Sequence, residues 1–172
     1  MSQLTPEQFA KLYDAHVDKV YRFLLTKTSS KETAQDLASE SFMKAWDYIQ
    51  RDRNEEIRNF QAFIFRIARN TVIDFYRKKS SSEVMVDDEM MQFSNIPDAS
   101  MDISAQAMLA SDVSQIKRYL TEMNQDYADV LTLHYIEDLS VADVAKVFDK
   151  SEGAVRVMIS RALTELRKKM SV

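Results

Sequence analysis

A chain of 172 residues with one glycine and two prolines has few positions that can reverse direction cheaply. Tight hairpin turns need positive φ angles that glycine fills best, so a turn-rich β fold is excluded and helices are favoured. Hydrophobic residues make up 45% of the chain, enough to bury a core in one or two domains. There is no cysteine, hence no disulfide framework and no thiolate metal site. No basic-apolar N-terminus resembles a signal peptide, and no apolar run approaches a membrane span. The expectation is a cytoplasmic protein without membrane insertion.

Helical signals fill the first half. Thr5-Pro6-Glu7-Gln8 joins a capping box to a proline at the first helical position. Phe9, Leu12, Tyr13, Val17, Val20, Tyr21 and Leu24 follow at spacings of three and four. Ser29 and Glu32 form a second capping-box pattern, ahead of Ala34, Leu37, Ala38, Phe42, Ala45, Trp46 and Ile49. After a polar loop over 50–59, a third helix carries Phe60, Phe63, Ile64, Ile67, Ala68 and Val72 inward and ends at Ser80-Ser81-Ser82.

The net charge of −4 hides a strong segregation. From Arg58 to Lys79 six bases face one acid, and from Val141 to Val172 seven bases face four acids. Between these blocks, Ser80 to Ile116 has seven acids and no lysine or arginine. The pattern predicts an all-α protein of two small helical domains, 1–79 and 103–172, joined by a flexible acidic linker over 80–102. The linker also carries hydrophobes (Val84, Met85, Val86, Met90, Met91, Phe93, Ile96), more than a solvated tether needs.

The second domain ends in a helix-turn-helix. Ser140 and Asp143 are placed to cap a short helix, with Leu139 and Val144 at the staple positions. Val141, Val144, Ala145 and Phe148 form its apolar face. Aspartate tolerates positive φ better than most residues, so Asp149 can make the turn. Ser151 caps a second helix, the only glycine, Gly153, lies in its first turn, and Val155, Ile159, Ala162, Leu163 and Leu166 mark its buried side. Arg156, Ser160 and Arg161 project from the remainder, where a recognition helix meets base edges. A helical hairpin with solvated arginines would carry the same pattern.

Two further helices offer chemistry. The third interleaves Arg66, Arg69, Asn70, Asp74, Arg77 and Lys78 with Phe75 and Tyr76. Cations neutralise phosphates, asparagine can pair with a base edge, and aromatics stack on unpaired bases, so the set suits opened DNA. A basic amphipathic helix with core aromatics is the plainer alternative. The second helix exposes Glu32, Asp36, Ser39 and Glu40, either a solvated face or a docking surface for a basic partner. His16 and His134 stand isolated, without partners at metal-ligand spacing. No phosphate loop, dinucleotide fingerprint or nucleophile-base arrangement occurs. No catalytic residue, metal or cofactor is expected.

Taken in order, these features resemble the bacterial RNA polymerase sigma factors of the small extracytoplasmic-function (ECF) type. The run Ala34-Gln35-Asp36-Leu37-Ala38-Ser39-Glu40-Ser41-Phe42-Met43-Lys44-Ala45-Trp46 is similar to the segment that docks on the polymerase clamp. Phe63 to Asp74 resembles the helix that captures the −10 element. Tyr135 to Ser140 leads into a helix-turn-helix whose Ser151-Glu152-Gly153-Ala154-Val155-Arg156 and Ser160-Arg161-Ala162 resemble the −35 recognition helix. The chain departs from the family pattern with Phe63 for a frequent tryptophan, Asp149-Lys150 for a glycine and an aliphatic residue, and Met158 for a second base.

The resemblance implies core polymerase docking, on the beta-prime clamp and beta subunits, through Asp36, Ser39, Glu40 and Phe42. It implies −10 DNA binding through Arg66, Arg69, Asn70, Asp74, Arg77 and Lys78, with Asn70 on an extruded base. It implies −35 binding through Ser151, Glu152, Arg156, Ser160 and Arg161. The linker would thread the polymerase's basic RNA path or act as a solvated tether. An anti-sigma protein is a common partner in the family. The competing expectation is a stand-alone helix-turn-helix regulator, which would leave the acidic and basic-aromatic helices unused.

Overall fold

The computed structural model describes residues 4–28, 30–52, 56–82 and 103–171, with the side chains of 82 and 103–112 outside that description. Residues 83–102, most of the expected linker, lie outside the described residues. The fold is all-α, and no strand occurs among the described residues. The chain divides into two compact units, one built on the helices within 6–82 and one on most of the helical residues within 103–170.

In the first unit, α1 (Pro6–Leu25), α2 (Lys31–Arg51) and α3 (Phe60–Ser82) each pack on the other two. Side-chain oxygens start each helix. The Thr5 hydroxyl accepts from the Gln8 N–H at 3.2 Å while the Gln8 side chain accepts from the Thr5 N–H at 3.0 Å, the expected capping box. Helix α2 is capped by Ser30 rather than by the expected Ser29, which lies outside the described residues. Ser30 has the extended backbone of a cap (φ −141°, ψ 137°), and its hydroxyl accepts from the Thr33 N–H at 3.1 Å. Asn59 accepts from the Ala62 N–H at 3.2 Å at the head of α3.

The core joins Val20, Phe23 and Leu24 to Leu37, Phe42 and Ala45 and to Ile64, Phe65, Ala68 and Val72. Burying a side chain such as Phe65 or Leu24 contributes about 1.5–3 kcal/mol. Two core aromatics differ from expectation. Phe65 is fully buried, edge-on to Phe23 at 5.4 Å, whereas Phe63 is only half-buried. The buried hydroxyls of Thr28, Ser41 and Thr71 donate to the carbonyls of Leu24, Leu37 and Ile67 one turn back, so none is left unsatisfied. The Tyr76 hydroxyl donates to the Lys27 carbonyl, tying the C-terminal half of α3 to the end of α1, and burial raises its pKa.

In the second unit, α5 (Gln125–Leu131) packs on α4 (Ile103–Glu122) and α7 (Glu152–Met170). Helix α5 widens into a π-helical turn over Thr132–Ile136, closed by the Glu137 N–H on the Thr132 carbonyl at 3.0 Å. Asp138, at φ 57°, then turns the chain into α6 (Val141–Phe148). The Ser140 hydroxyl accepts from the Asp143 N–H at 3.1 Å, and Leu139 and Val144, the staple pair, are both buried.

Asp149 makes the turn between α6 and α7 at φ 53°, as its position predicts. The Lys150 N–H reaches the Ala145 carbonyl at 3.0 Å and the Asp149 N–H reaches the Lys146 carbonyl at 3.3 Å, the two bonds of a Schellman motif. Ser151 caps α7 through the Ala154 N–H at 3.1 Å. Asp149→Gly is expected to hold or raise the melting temperature. A β-branched side chain in this left-handed position costs about 1–2 kcal/mol, so Asp149→Val is expected to lower it.

Candidate interfaces for nucleic acid and protein

Helix α7 presents two opposed faces. Val155 and Ala162 are fully buried, with Ile159 and Leu166 half-buried beside them. Gly153, Arg156, Val157, Ser160, Arg161 and Thr164 form an exposed stripe at spacings of three and four. Met158 is half-buried, so the residue that departs from the family pattern lies off the most exposed stripe. Ser151 and Glu152 are exposed at the helix start, but both already have work inside the protein. The Ser151 hydroxyl is the cap, and Glu152 pairs with Arg156 at 3.2 Å. An exposed i,i+4 pair of this kind is worth only about 0.3–0.5 kcal/mol. It orients the guanidinium at little cost to its release toward a stronger acceptor.

Helix α3 exposes Arg66, Asn70, Ile73 and Arg77 as a stripe at spacings of three and four, with Lys78 beside it. Arg69 and Asp74 are half-buried. Asp74 approaches Arg77 at 3.8 Å, which places the helix's one acid as a local counter-charge within the basic face. Tyr76, a candidate for base stacking, is instead bonded into the helical bundle through Lys27.

Helix α2 exposes Asp36, Ser39 and Glu40 together, with Glu40 bridged to Lys44 at 2.8 Å. Phe42 differs from its expected role. It is only 3% exposed, edge-on to Phe9 at 6.5 Å and to Tyr13 at 4.7 Å. Two residues after Glu40 the helix has rotated far enough to aim the side chain inward, so Phe42 forms the floor of an apolar groove also lined by Phe9, Tyr13, Met43 and Trp46. Met43, 69% exposed, is the apolar group this face presents outward.

Met43, Ile73 and Val157 are exposed apolar residues of α2, α3 and α7 that reading for charge passes over. Their signal is in the sequence: Val157 lies two residues from both Val155 and Ile159, roughly 200° around the helix from either. His16 and His134 bond backbone carbonyls, of Leu12 at 2.8 Å and Leu139 at 2.7 Å. No group of three metal-ligating side chains occurs among the described residues.

Comparison with known proteins gives this arrangement a context. Residues 12–82 match the family model for Sigma-70 region 2, and residues 114–166 match that for Sigma-70 region 4. The chain is 30% identical over 160 residues to the ECF RNA polymerase sigma factor BldN of Streptomyces coelicolor, covering 93% of this chain and 59% of BldN. It is 28% identical over 159 residues to the ECF RNA polymerase sigma factor SigM of Bacillus subtilis, covering 91% of each. The chain belongs to the ECF sigma factors of the sigma-70 family.

The fold is shared with solved structures. The sigma factor RpoE of Bartonella quintana, in complex with the anti-sigma factor NepR, aligns with a TM-score of 0.72 at 22% identity, covering 96% of this chain and 98% of that one. CnrH, in complex with the cytosolic domain of CnrY, aligns with a TM-score of 0.66 at 22% identity, covering 97% and 90%. As a sigma factor, this chain directs promoter-specific initiation of transcription. No helix among its described residues is long and apolar enough to cross a membrane.

The two faces of α2 predict opposite behaviours. Phe42→Ala is expected to lower the stability of the first unit by about 3–5 kcal/mol in urea unfolding. Asp36→Arg, on the exposed face, is expected to leave the unfolding free energy within about 0.5 kcal/mol of the parent.

Proposed function

We propose that this sigma factor divides promoter recognition between α7 and α3 and docks on core RNA polymerase through α2. The observation that carries the reading is the exposed stripe of α7. Arg156, Ser160 and Arg161 stand in a row behind a capped N-terminus, on a helix whose other side is buried. A helix held this way enters a major groove end-first, with Arg156 and Arg161 on base edges or phosphates and Ser160 between them. Ser151 acts by capping, and Glu152 by orienting Arg156. Arg167 and Lys168, exposed in the last turn, add sequence-independent attraction to the backbone.

The stripe of α3 would take the non-template strand at −10. Asn70 contacts an extruded base, while Arg66, Arg77 and Lys78 hold phosphates, with Arg69 and Asp74 setting the helix surface around them. Unstacking costs a few kcal/mol per step, which binding of the freed base offsets. The chain therefore contributes binding free energy to melting rather than bond chemistry, and is not an enzyme. It works where the polymerase does, in the cytoplasm.

The face of Asp36, Ser39 and Glu40, with Met43 beside it, would meet a basic surface of the beta-prime clamp, and α4–α7 would contact the beta subunit. Domain limits of 1–79 and 103–172 with a linker over 80–102 complete the reading. Because both RpoE and CnrH were solved with a second protein, one of them an anti-sigma factor, an anti-sigma partner is part of the proposal. The stand-alone regulator leaves the exposed faces of α2 and α3 without a role.

Transcription of fragmented genomic DNA by core polymerase, with and without this chain, tests the reading. New RNA 5′ ends that share upstream motifs at fixed spacing are expected, and their absence despite core binding would count against it. Arg156→Ala is expected to weaken holoenzyme binding to that promoter by about 1–3 kcal/mol in gel-shift titration. Asp36→Arg is expected to reduce co-purification with core polymerase while the fold is retained.

A further inference from the structure

Val157 and Gly153 occupy the exposed stripe of α7 one turn apart, and the fold explains neither. Val157 is 47% exposed, while Val155, two residues before it, is fully buried. A β-branched residue is a poor helix former, and this one packs too little to compensate. Gly153, the only glycine in the chain, has no positive φ. A Cβ built there would meet nothing nearer than the Ser151 hydroxyl oxygen at 4.0 Å. Alanine would fit and would strengthen the helix. Both residues thus cost helix stability without a return from packing, and they share a face with Arg156, Ser160 and Arg161.

An object approaching that face from outside accounts for both. Gly153 leaves the first turn without a side chain, which lets a DNA surface come close to the helix backbone. One turn on, Val157 offers two methyl groups between arginines. The edges of the major groove carry donors, acceptors and one apolar group, the C5-methyl of thymine. We infer that Val157 reads a thymine methyl within the −35 element, with Gly153 providing the clearance that brings it there. The inference rests on the proposed placement of α7 in the major groove. It adds a specific base to that placement and a reader that is not a hydrogen-bonding residue.

The test uses holoenzyme reconstituted from the full chain and core polymerase, on a promoter mapped by run-off transcription. Each −35 thymine, on either strand, is replaced in turn by deoxyuridine, which removes the methyl and keeps the base-pairing edge and O4. One replacement is expected to weaken binding about 4-fold, the worth of one buried methyl-sized group. In Val157→Ser holoenzyme that position no longer distinguishes thymine from deoxyuridine, while the response to changes at other −35 bases is retained. Gly153→Ala is expected to raise the melting temperature and to weaken promoter binding.

A −35 element without thymine, or a methyl effect of the same size in Val157→Ser, overturns the assignment. Unchanged promoter affinity in Gly153→Ala overturns the clearance. Footprinting of the unsubstituted holoenzyme separates the levels: no methyl effect at any −35 thymine with −35 protection intact removes the role of Val157 alone. Absence of −35 protection removes the groove placement itself.

Discussion

The structure depends on side-chain oxygens taking over the punctuation that glycine supplies elsewhere. Thr5, Ser30, Asn59, Asn124, Ser140 and Ser151 each accept a backbone N–H at the head of a helix. Each such bond is worth about 1 kcal/mol, and each also fixes where a helix begins. Two aspartates, Asp138 and Asp149, take the left-handed conformations that start and end α6. With the Lys150 to Ala145 bond, Asp149 sets the direction in which α7 leaves the turn. The exposed stripe of α7 faces as it does because of where this polar bond closes.

Once helices start at fixed residues, their faces follow from the 3.6-residue period, and the proposed contacts fall on the sides that packing leaves over. In α3, Ile64, Phe65, Ala68 and Val72 go to the core, so Arg66, Asn70, Ile73 and Arg77 are turned outward together. The same division in α2 separates Leu37, Phe42 and Ala45 from Asp36, Glu40 and Met43. Charge is segregated in the same way. An acidic face on α2 and basic faces on α3 and α7 coexist in a chain of net charge −4, and at physiological salt each acts over about 8 Å. Total charge therefore says little about what any one face binds.

Element type and order were legible in the first unit because its helices are long and strongly periodic. The caps and the turn of the helix-turn-helix were legible, since Ser140, Asp149 and Ser151 sit where a cap or a left-handed residue fits. Harder to read were residues near a stripe boundary. Phe42 follows the polar run Ser39-Glu40-Ser41 and matches a docking segment, yet its place two residues beyond Glu40 sends it inward with Ser41. Phe63 and Phe65 lie on the same helix two residues apart, and the position of Phe23 on α1 decides which becomes the core ring. Tyr76 could have stacked on a base as far as its spacing shows; the end of α1, 49 residues away, supplies the carbonyl that holds it.

The sequence by itself determined an all-helical protein, because one glycine and strict helical periodicity leave no other way to satisfy the backbone. It also determined the charge of each helix and the family, since local order and side-chain type carry both. Tertiary structure alone decided which side chains remain available to a partner. Availability depends on contacts between residues far apart in the chain: Phe42 is lost to the rings of α1, while Met43, Ile73 and Val157 stay exposed among the described residues.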